Sequence, residues 1–260
     1  MTTTSPVSPP LVLLPAFPFT ARMWDRVRPL LAATGVDVVT PDYRGAHDPA
    51  QLDGVEPSLD VLADDVVTLL DDRGVGQAIV GGVSMGGYVT MALARRHPER
   101  LAGVILADTR ATADDETTRA NRLAIAAQLE ADGRVDVLVE KTLPGLPGAT
   151  TKAERPELLA ELQAITASVP AVTAAWWQRA MAVRPDSTET LRRLRVPALV
   201  IVGAEDVVSP PDAAAAMAMA VPDGRLVTIP AAGHLTPIEA PELFAGAVAG
   251  FVTELVSAAR

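Results

Sequence analysis

The 260-residue chain contains no cysteine, which excludes disulfides, thiolate nucleophiles and cysteine-ligated zinc. A cysteine-free chain folds in either redox environment, so this absence leaves the compartment open. Histidine is scarce too. His47, His97 and His234 are the full complement, with no HExxH and no paired carboxylate–histidine spacing, so no metal site is expected. Basic residues are outnumbered, 22 Lys and Arg against 32 Asp and Glu, giving a formal net charge of -10. An acidic surface repels phosphate backbones and anionic headgroups, so neither nucleic acid nor a membrane surface is an expected partner. The N-terminus, Met1-Thr-Thr-Thr-Ser-Pro-Val-Ser-Pro-Pro10, lacks the basic region of a signal peptide. Apolar stretches such as 213–221 are too short to span a bilayer. A cytoplasmic protein with a flexible tail at residues 1–10 is the resulting expectation.

Apolar residues make up 49% of the chain, ample for a buried core in one large α/β domain or two small ones. Short β-rich runs at 11–14, 36–40, 78–82, 104–107, 198–202 and 226–229 are continuous rather than alternating. That pattern fits strands covered on both faces, as in a parallel sheet. Helical patterns at 23–33, 59–73, 86–96, 211–220 and 241–259 lie between and after them. The alternation predicts an α/β fold, a mostly parallel sheet of about six strands with helices on both sides. Residues 109–195 break it. Helical patterns at 114–131, 135–142, 152–168 and 170–183 occur there without a strand, so the expected organisation is a core of 11–108 and 196–260 with a helical insertion.

The strongest local signal is Gly82-Val-Ser84-Met-Gly86, placed between a β run and a helix pattern. A serine at a sharp strand-to-helix turn projects its hydroxyl, and glycines two residues either side let backbones pack close without a Cβ clash. The helix N-terminus brings N–H groups towards developing negative charge. A bare GxSxG also occurs as a plain glycine-rich connection, and it is the strand–turn–helix context that favours chemistry.

With that motif the chain resembles the α/β-hydrolase superfamily, most of all its small esterases, enol-lactonases, C–C hydrolases and cofactor-free haloperoxidases or perhydrolases. The resemblance runs from Leu11 onward. It is carried by Leu13-Leu14-Pro15-Ala16-Phe17-Pro18 with Trp24, Pro41-Asp42-Tyr43-Arg44-Gly45, the Ser84 motif, His97-Pro98-Glu99-Arg100, Val202-Gly203-Ala204-Glu205-Asp206 and Ala232-Gly233-His234. It implies Ser84 as nucleophile, His234 as base and Asp206 as acid, in the chain order of that fold. Asp108 ends the preceding strand run, where some relatives carry their acid, and is the rival for that role. His97 reads as a helix-end residue and His47 as exposed. Backbone N–H groups of Phe17 and Met85 are the implied oxyanion hole. Here Pro15-Ala16 replaces the usual His-Gly, and the two strands that commonly precede the first run are missing.

The resemblance implies hydrolysis of an ester, lactone or thioester through an acyl-serine, without a cofactor and with a small acyl molecule as partner. The insertion would cap the site, with Leu143, Leu146, Trp176, Trp177 and Met181 lining an acyl pocket or simply packing helix on helix. The same residues serve C–C hydrolysis and perhydrolysis. A ligand-binding protein on a hydrolase scaffold is the reading from another class. With the early strands missing, the run from Val36 to Thr40 becomes an open edge, which predicts a homodimer joined there.

Overall fold

The apolar runs build one six-stranded, wholly parallel sheet: β1 (Leu11–Leu14), β2 (Val38–Val39), β3 (Ala78–Val83), β4 (Leu101–Ala107), β5 (Ala198–Gly203) and β6 (Gly224–Ile229), in the order β2-β1-β3-β4-β5-β6. The structure, a computed structural model, describes residues 9–258, so most of the expected tail at 1–10 lies outside the described residues. Pro10 already belongs to the fold, its carbonyl accepting from the Ile79 N–H at 2.9 Å.

Helices α1 (Val27–Ala32), α2 (Leu59–Asp72) and α3 (Met85–Arg96) precede β4. Between β4 and β5 run α4 (Glu116–Asp132), α5 (Asp136–Lys141), α6 (Ala149–Glu154), α7 (Leu158–Thr166), α8 (Ala171–Ala182) and α9 (Thr188–Arg192). The chain closes with α10 (Pro211–Ala220), α11 (Thr236–Glu239) and α12 (Pro241–Ala258).

Strand side chains alternate between faces, and the inner strands are apolar at both parities. Val12, Leu14, Val80, Val104 and Val200 therefore join one core with α2, α3 and α10. Leu11, Leu13, Ile79, Ile105 and Ile201 join a second core with α1 and α12. The edge strands depart from the expected continuous burial. β2 keeps only two ladder residues of the five expected, because Gly35 turns the chain at φ +82° before it and Pro41 follows it. A two-residue edge offers few open groups to a second chain. β6 lies at the opposite edge and alternates, with Leu226 exposed, because it has a neighbour on one side only.

Two expected helices are broken. The 23–33 pattern divides into a 3-10 turn (Ala21–Trp24) and α1. The 152–168 pattern divides into α6 and α7 at Arg155–Pro156, where proline has no N–H to donate and biases its predecessor away from helix. Of the inserted helices, α9 packs on α3 and α10 and so lies along the sheet's flank. Helix α12 has the length of a membrane span, with a mean hydropathy of 1.2. Its Phe244, Val248, Phe251 and Val252 instead form a stripe against the second core.

Trp24 is the largest side chain of that second core, fully buried with its ring 5.9 Å from Phe244, and its Nε1–H has no acceptor among the described residues. Trp24→Ala is expected to cost about 3–5 kcal/mol in urea unfolding through the cavity it leaves. Trp24→Phe, which removes the orphaned donor along with less volume, is expected to cost less than half as much.

Candidate active site

Val83 ends β3 and Met85 opens α3, so Ser84 alone makes the turn between them. Its backbone sits at φ 54°, ψ -111°, a conformation that costs a non-glycine residue on the order of 1–3 kcal/mol. Neighbouring backbone holds it there. The Ser84 N–H donates to the Ala107 carbonyl at 2.9 Å, and the Thr109 hydroxyl donates to the Ser84 carbonyl at 2.9 Å. A Cβ on Gly82 would lie 2.4 Å from the Gly86 backbone, and one on Gly86 would lie 2.3 Å from the Leu14 carbonyl oxygen. Both glycines are therefore required by close backbone approach, as the motif anticipated.

The Ser84 Oγ points at His234 Nε2, 2.9 Å away, and His234 Nδ1 lies 2.8 Å from Asp206 Oδ2. The structure thus brings together the three residues named as nucleophile, base and acid. Asp206 follows β5 and is itself fixed, Oδ1 accepting from the Val208 and Ser209 N–H groups at 2.8 Å each. His234 and Asp206 are almost wholly buried. His97 caps the end of α3 beside Asp64, and exposed His47 pairs with Asp42.

Three further carboxylates surround this chain, each with a different task. Asp108, the rival acid, turns away from His234. Its Oδ2 accepts from the Thr236 N–H and hydroxyl at 2.9 and 2.7 Å, and its Oδ1 from the Gly203 N–H at 3.2 Å. It braces the loops that carry His234 and Asp206. Glu239, on α11, was not singled out in the sequence. Buried, it accepts from the Gly233 and Leu235 N–H groups on either side of His234 at 2.9 and 3.0 Å, and from the Gly148 N–H at 2.8 Å. No sequence motif marks it, because its partners are backbone N–H groups, two just before it in the chain and one from the distant Gly148. Glu205 faces away and holds Thr150. The proline- and glycine-rich segment 143–148 docks on the histidine loop, where the Leu146 carbonyl also accepts from the His234 N–H at 2.8 Å.

Phe17 follows β1 and Met85 opens α3; among the described residues neither N–H is engaged by a protein acceptor. The altered Pro15-Ala16 pair does not leave the loop slack. Ala16 N–H meets Met23 Sδ at 3.0 Å, and the buried Tyr43 hydroxyl donates to the Pro15 carbonyl at 3.0 Å. Tyr43 belongs to the Pro41–Gly45 motif, which the resemblance carried without a role. Burial first, and then the Asp42 charge, push the Tyr43 hydroxyl well above its ordinary pKa, keeping it a donor.

A cavity of about 400 Å³ opens above Ser84 and His234. Phe17, Ile125, Leu146, Met181 and Val208 give it apolar walls, and Gln178, Asn121 and Thr142 add polar groups. Of the expected acyl-pocket residues, Leu146 and Met181 line it; Leu143, Trp176 and Trp177 do not. Leu143 is in the second core. Trp177 packs edge-on beneath Phe17 and Tyr43 at 6.5 and 5.7 Å between centroids, and Trp176 donates Nε1–H to the Val55 carbonyl at 2.9 Å. Their period along α8 turns these rings towards the body of the protein, where the apolar area is. Among the described residues no group of three His, Asp or Glu is placed to hold a metal ion.

Burial above all, and next the Asp206 charge, raise the Asp108 carboxyl to about 7, against the opposing pull of His234 and the Thr236 donors. Well below about pH 4 the group is neutral folded or unfolded. As pH rises towards 7 the unfolded chain gives up the proton while the folded chain keeps it, so stability falls across that window. Wild type is expected to lose on the order of 2 kcal/mol between about pH 5 and pH 8 relative to Asp108→Asn. Urea midpoints of both proteins at the two pH values check this, and parallel pH profiles would refute it.

The sequence pattern of the "Alpha/beta hydrolase family" matches residues 11–247. A pimeloyl-[acyl-carrier protein] methyl ester esterase of Aromatoleum aromaticum is 29% identical over 246 residues, covering 90% of this chain and 94% of the esterase. The 3-oxoadipate enol-lactonase 2 of Acinetobacter baylyi is 29% identical over 73% of this chain and 69% of its own length. Among solved structures, a thermophilic esterase of Thermogutta terrifontis in a malate-bound form superposes with a TM-score of 0.89 at 35% identity, covering 95% of this chain and 90% of that one. The chain belongs to the α/β hydrolase family.

Proposed function

We propose that this hydrolase cleaves carboxylic esters, lactones or thioesters through an acyl-serine intermediate, with Ser84 as nucleophile, His234 as general base and acid, and Asp206 as the group that orients it. The observation that carries the reading is the continuous chain of two contacts, Ser84 Oγ to His234 Nε2 at 2.9 Å and His234 Nδ1 to Asp206 Oδ2 at 2.8 Å, opening on a cavity. Ester- and lactone-cleaving relatives support the substrate range.

Each step follows from a placed group. A serine hydroxyl needs an adjacent base at neutral pH. His234 Nε2 takes the Ser84 proton as Oγ attacks the carbonyl carbon, while the Nδ1–H donates to Asp206 and the carboxylate stabilises the imidazolium. The carbonyl oxygen becomes an oxyanion, for which the Phe17 and Met85 N–H groups are the proposed donors. Collapse breaks the bond to the leaving oxygen or sulfur, which leaves with the proton from His234. Water, deprotonated by His234, then attacks the acyl-serine. The carboxylic acid departs and Ser84 regains its proton. No cofactor enters this balance. A purely ligand-binding role gives no reason for the whole hydrogen-bonded chain.

A fluorophosphonate probe is expected to label wild type on Ser84 and to leave Ser84→Ala unlabelled. Turnover of simple esters should fall by at least about ten-thousand-fold in Ser84→Ala. Asp206→Asn should reduce kcat by a similar order through the wrong imidazole tautomer. Labelling or turnover that survives in Ser84→Ala would overturn the reading.

A further inference from the structure

Along the chain acidic residues outnumber basic ones, 32 to 22. The cavity above Ser84 reverses the balance: Arg110, Arg122 and Lys141 line it, and no Asp or Glu of the described residues does. These cations are poorly neutralised by the protein. Lys141 reaches only the Gln128 side-chain oxygen, at 3.3 Å. Arg110 donates to the Val208 carbonyl at 2.6 Å and makes no ion pair among the described residues; its buried Nε has no acceptor. Asp115, on which the Arg110 charge bears, is engaged chiefly by Thr118 at the start of α4. Arg122 does pair with Asp114, at 2.6 Å, but Arg184 takes the same carboxylate at 2.7 Å, leaving two guanidinium groups on one negative charge. Arg110 stands two residues past Asp108 at the mouth of β4, beside the nucleophile turn, whereas Arg122 and Lys141 belong to α4 and α5 across the cavity.

A cluster of like charges around a partly desolvated cavity is unfavourable unless an anion joins it, because the field is screened less there than at an open surface. Arginine's planar fork suits a carboxylate in particular. Resting on the acyl-serine reading above, we propose that the preferred substrates are esters that carry a second, negatively charged group, a carboxylate held by Arg110, Arg122 and Lys141 while the scissile carbonyl lies at Ser84. The apolar walls between the two ends then take a short hydrocarbon segment. The carboxylate sits on the acyl side or on the alcohol side, and both use the same cations.

Two pairs matched in carbon number separate these sources: monomethyl glutarate against methyl valerate, and carboxymethyl butyrate against ethyl butyrate, followed by pH-stat. In at least one pair the anionic ester is expected to have kcat/KM about tenfold higher or more, the size of one charge-assisted contact. A group remote from the reacting bond acts through binding, so the difference should appear mainly in KM. It should shrink as salt is raised. Lys141→Gln, at an exposed position, and Arg122→Gln should each lower the anionic-to-neutral ratio within that pair by about tenfold. Thermal unfolding checks that the Arg122 variant is folded, and Lys141→Gln decides if it is not. Equal or better turnover of the neutral ester in both pairs, or a ratio unmoved by the folded variants, overturns the inference while leaving the serine mechanism standing. If no ester is turned over and Ser84 is not labelled, the mechanism fails instead. Calorimetry with both matched pairs then decides whether the three cations take a carboxylate, tighter binding of the anionic member in at least one pair supporting it and equal or absent binding in both overturning it.

Discussion

Everything at this site depends on one close backbone contact, that of Gly86 against the Leu14 carbonyl. It lets α3 start directly behind the end of β1, so that the Ser84 turn and the Phe17 loop face the same point. The strain in the Ser84 backbone is sustained by the two strands beside it. Val83 pairs with Ala107 in the sheet, and the Ala107 carbonyl takes the Ser84 N–H. A turn over-determined by packing can hold a conformation that the isolated residue would leave.

The histidine loop is held by a different means. His234 sits in irregular backbone with no ladder to fix it, and buried carboxylates do the fixing. Glu239 grips the N–H groups flanking the ring-bearing residue, Asp108 grips Thr236, and Asp206 meets the ring itself. Such buried acceptors are tolerable because each is met by several donors. Asp108 shows the limit of the device. With burial and a neighbouring carboxylate against it, its pKa rises to about 7 even with three donors in place.

The inserted helices belong to this arrangement as much as the sheet does. The segment after α5 is tied to the histidine loop through the Leu146 carbonyl and the Gly148 N–H, and α8 is tied to the Gly45 carbonyl by the Thr173 hydroxyl at 2.8 Å. Between those anchors the cavity receives cations from α4, α5 and the end of β4. An acidic protein that keeps the carboxylates out of the wall of its reaction chamber has a surface suited to solubility and an interior field suited to anions.

By itself the sequence determined the parallel α/β sheet, its inner strands and the Ser84 turn, while His234 and Asp206 came from the family resemblance, which left Asp108 as a rival acid. The sheet and the turn rest on local signals: continuous β-branched runs and glycines at fixed offsets. The ends of the sheet were less legible. Val36 to Thr40 was legible as an edge, but not that only two of its residues would pair, and Leu226 to Ile229 read as an inner strand by composition until its single neighbour showed it as the other edge. Tertiary structure alone decided that Trp176 and Trp177 face the body of the protein rather than the cavity, since an apolar stripe on a helix does not say which of two apolar surfaces it meets. It also decided that Asp108 braces a loop, that Glu239 holds His234 in place, and that Arg110, Arg122 and Lys141 share one chamber. Glu239 is near His234 in the chain but grips backbone groups, and the others are distant from what they act on or share only a common field; neither leaves a periodic trace in the chain.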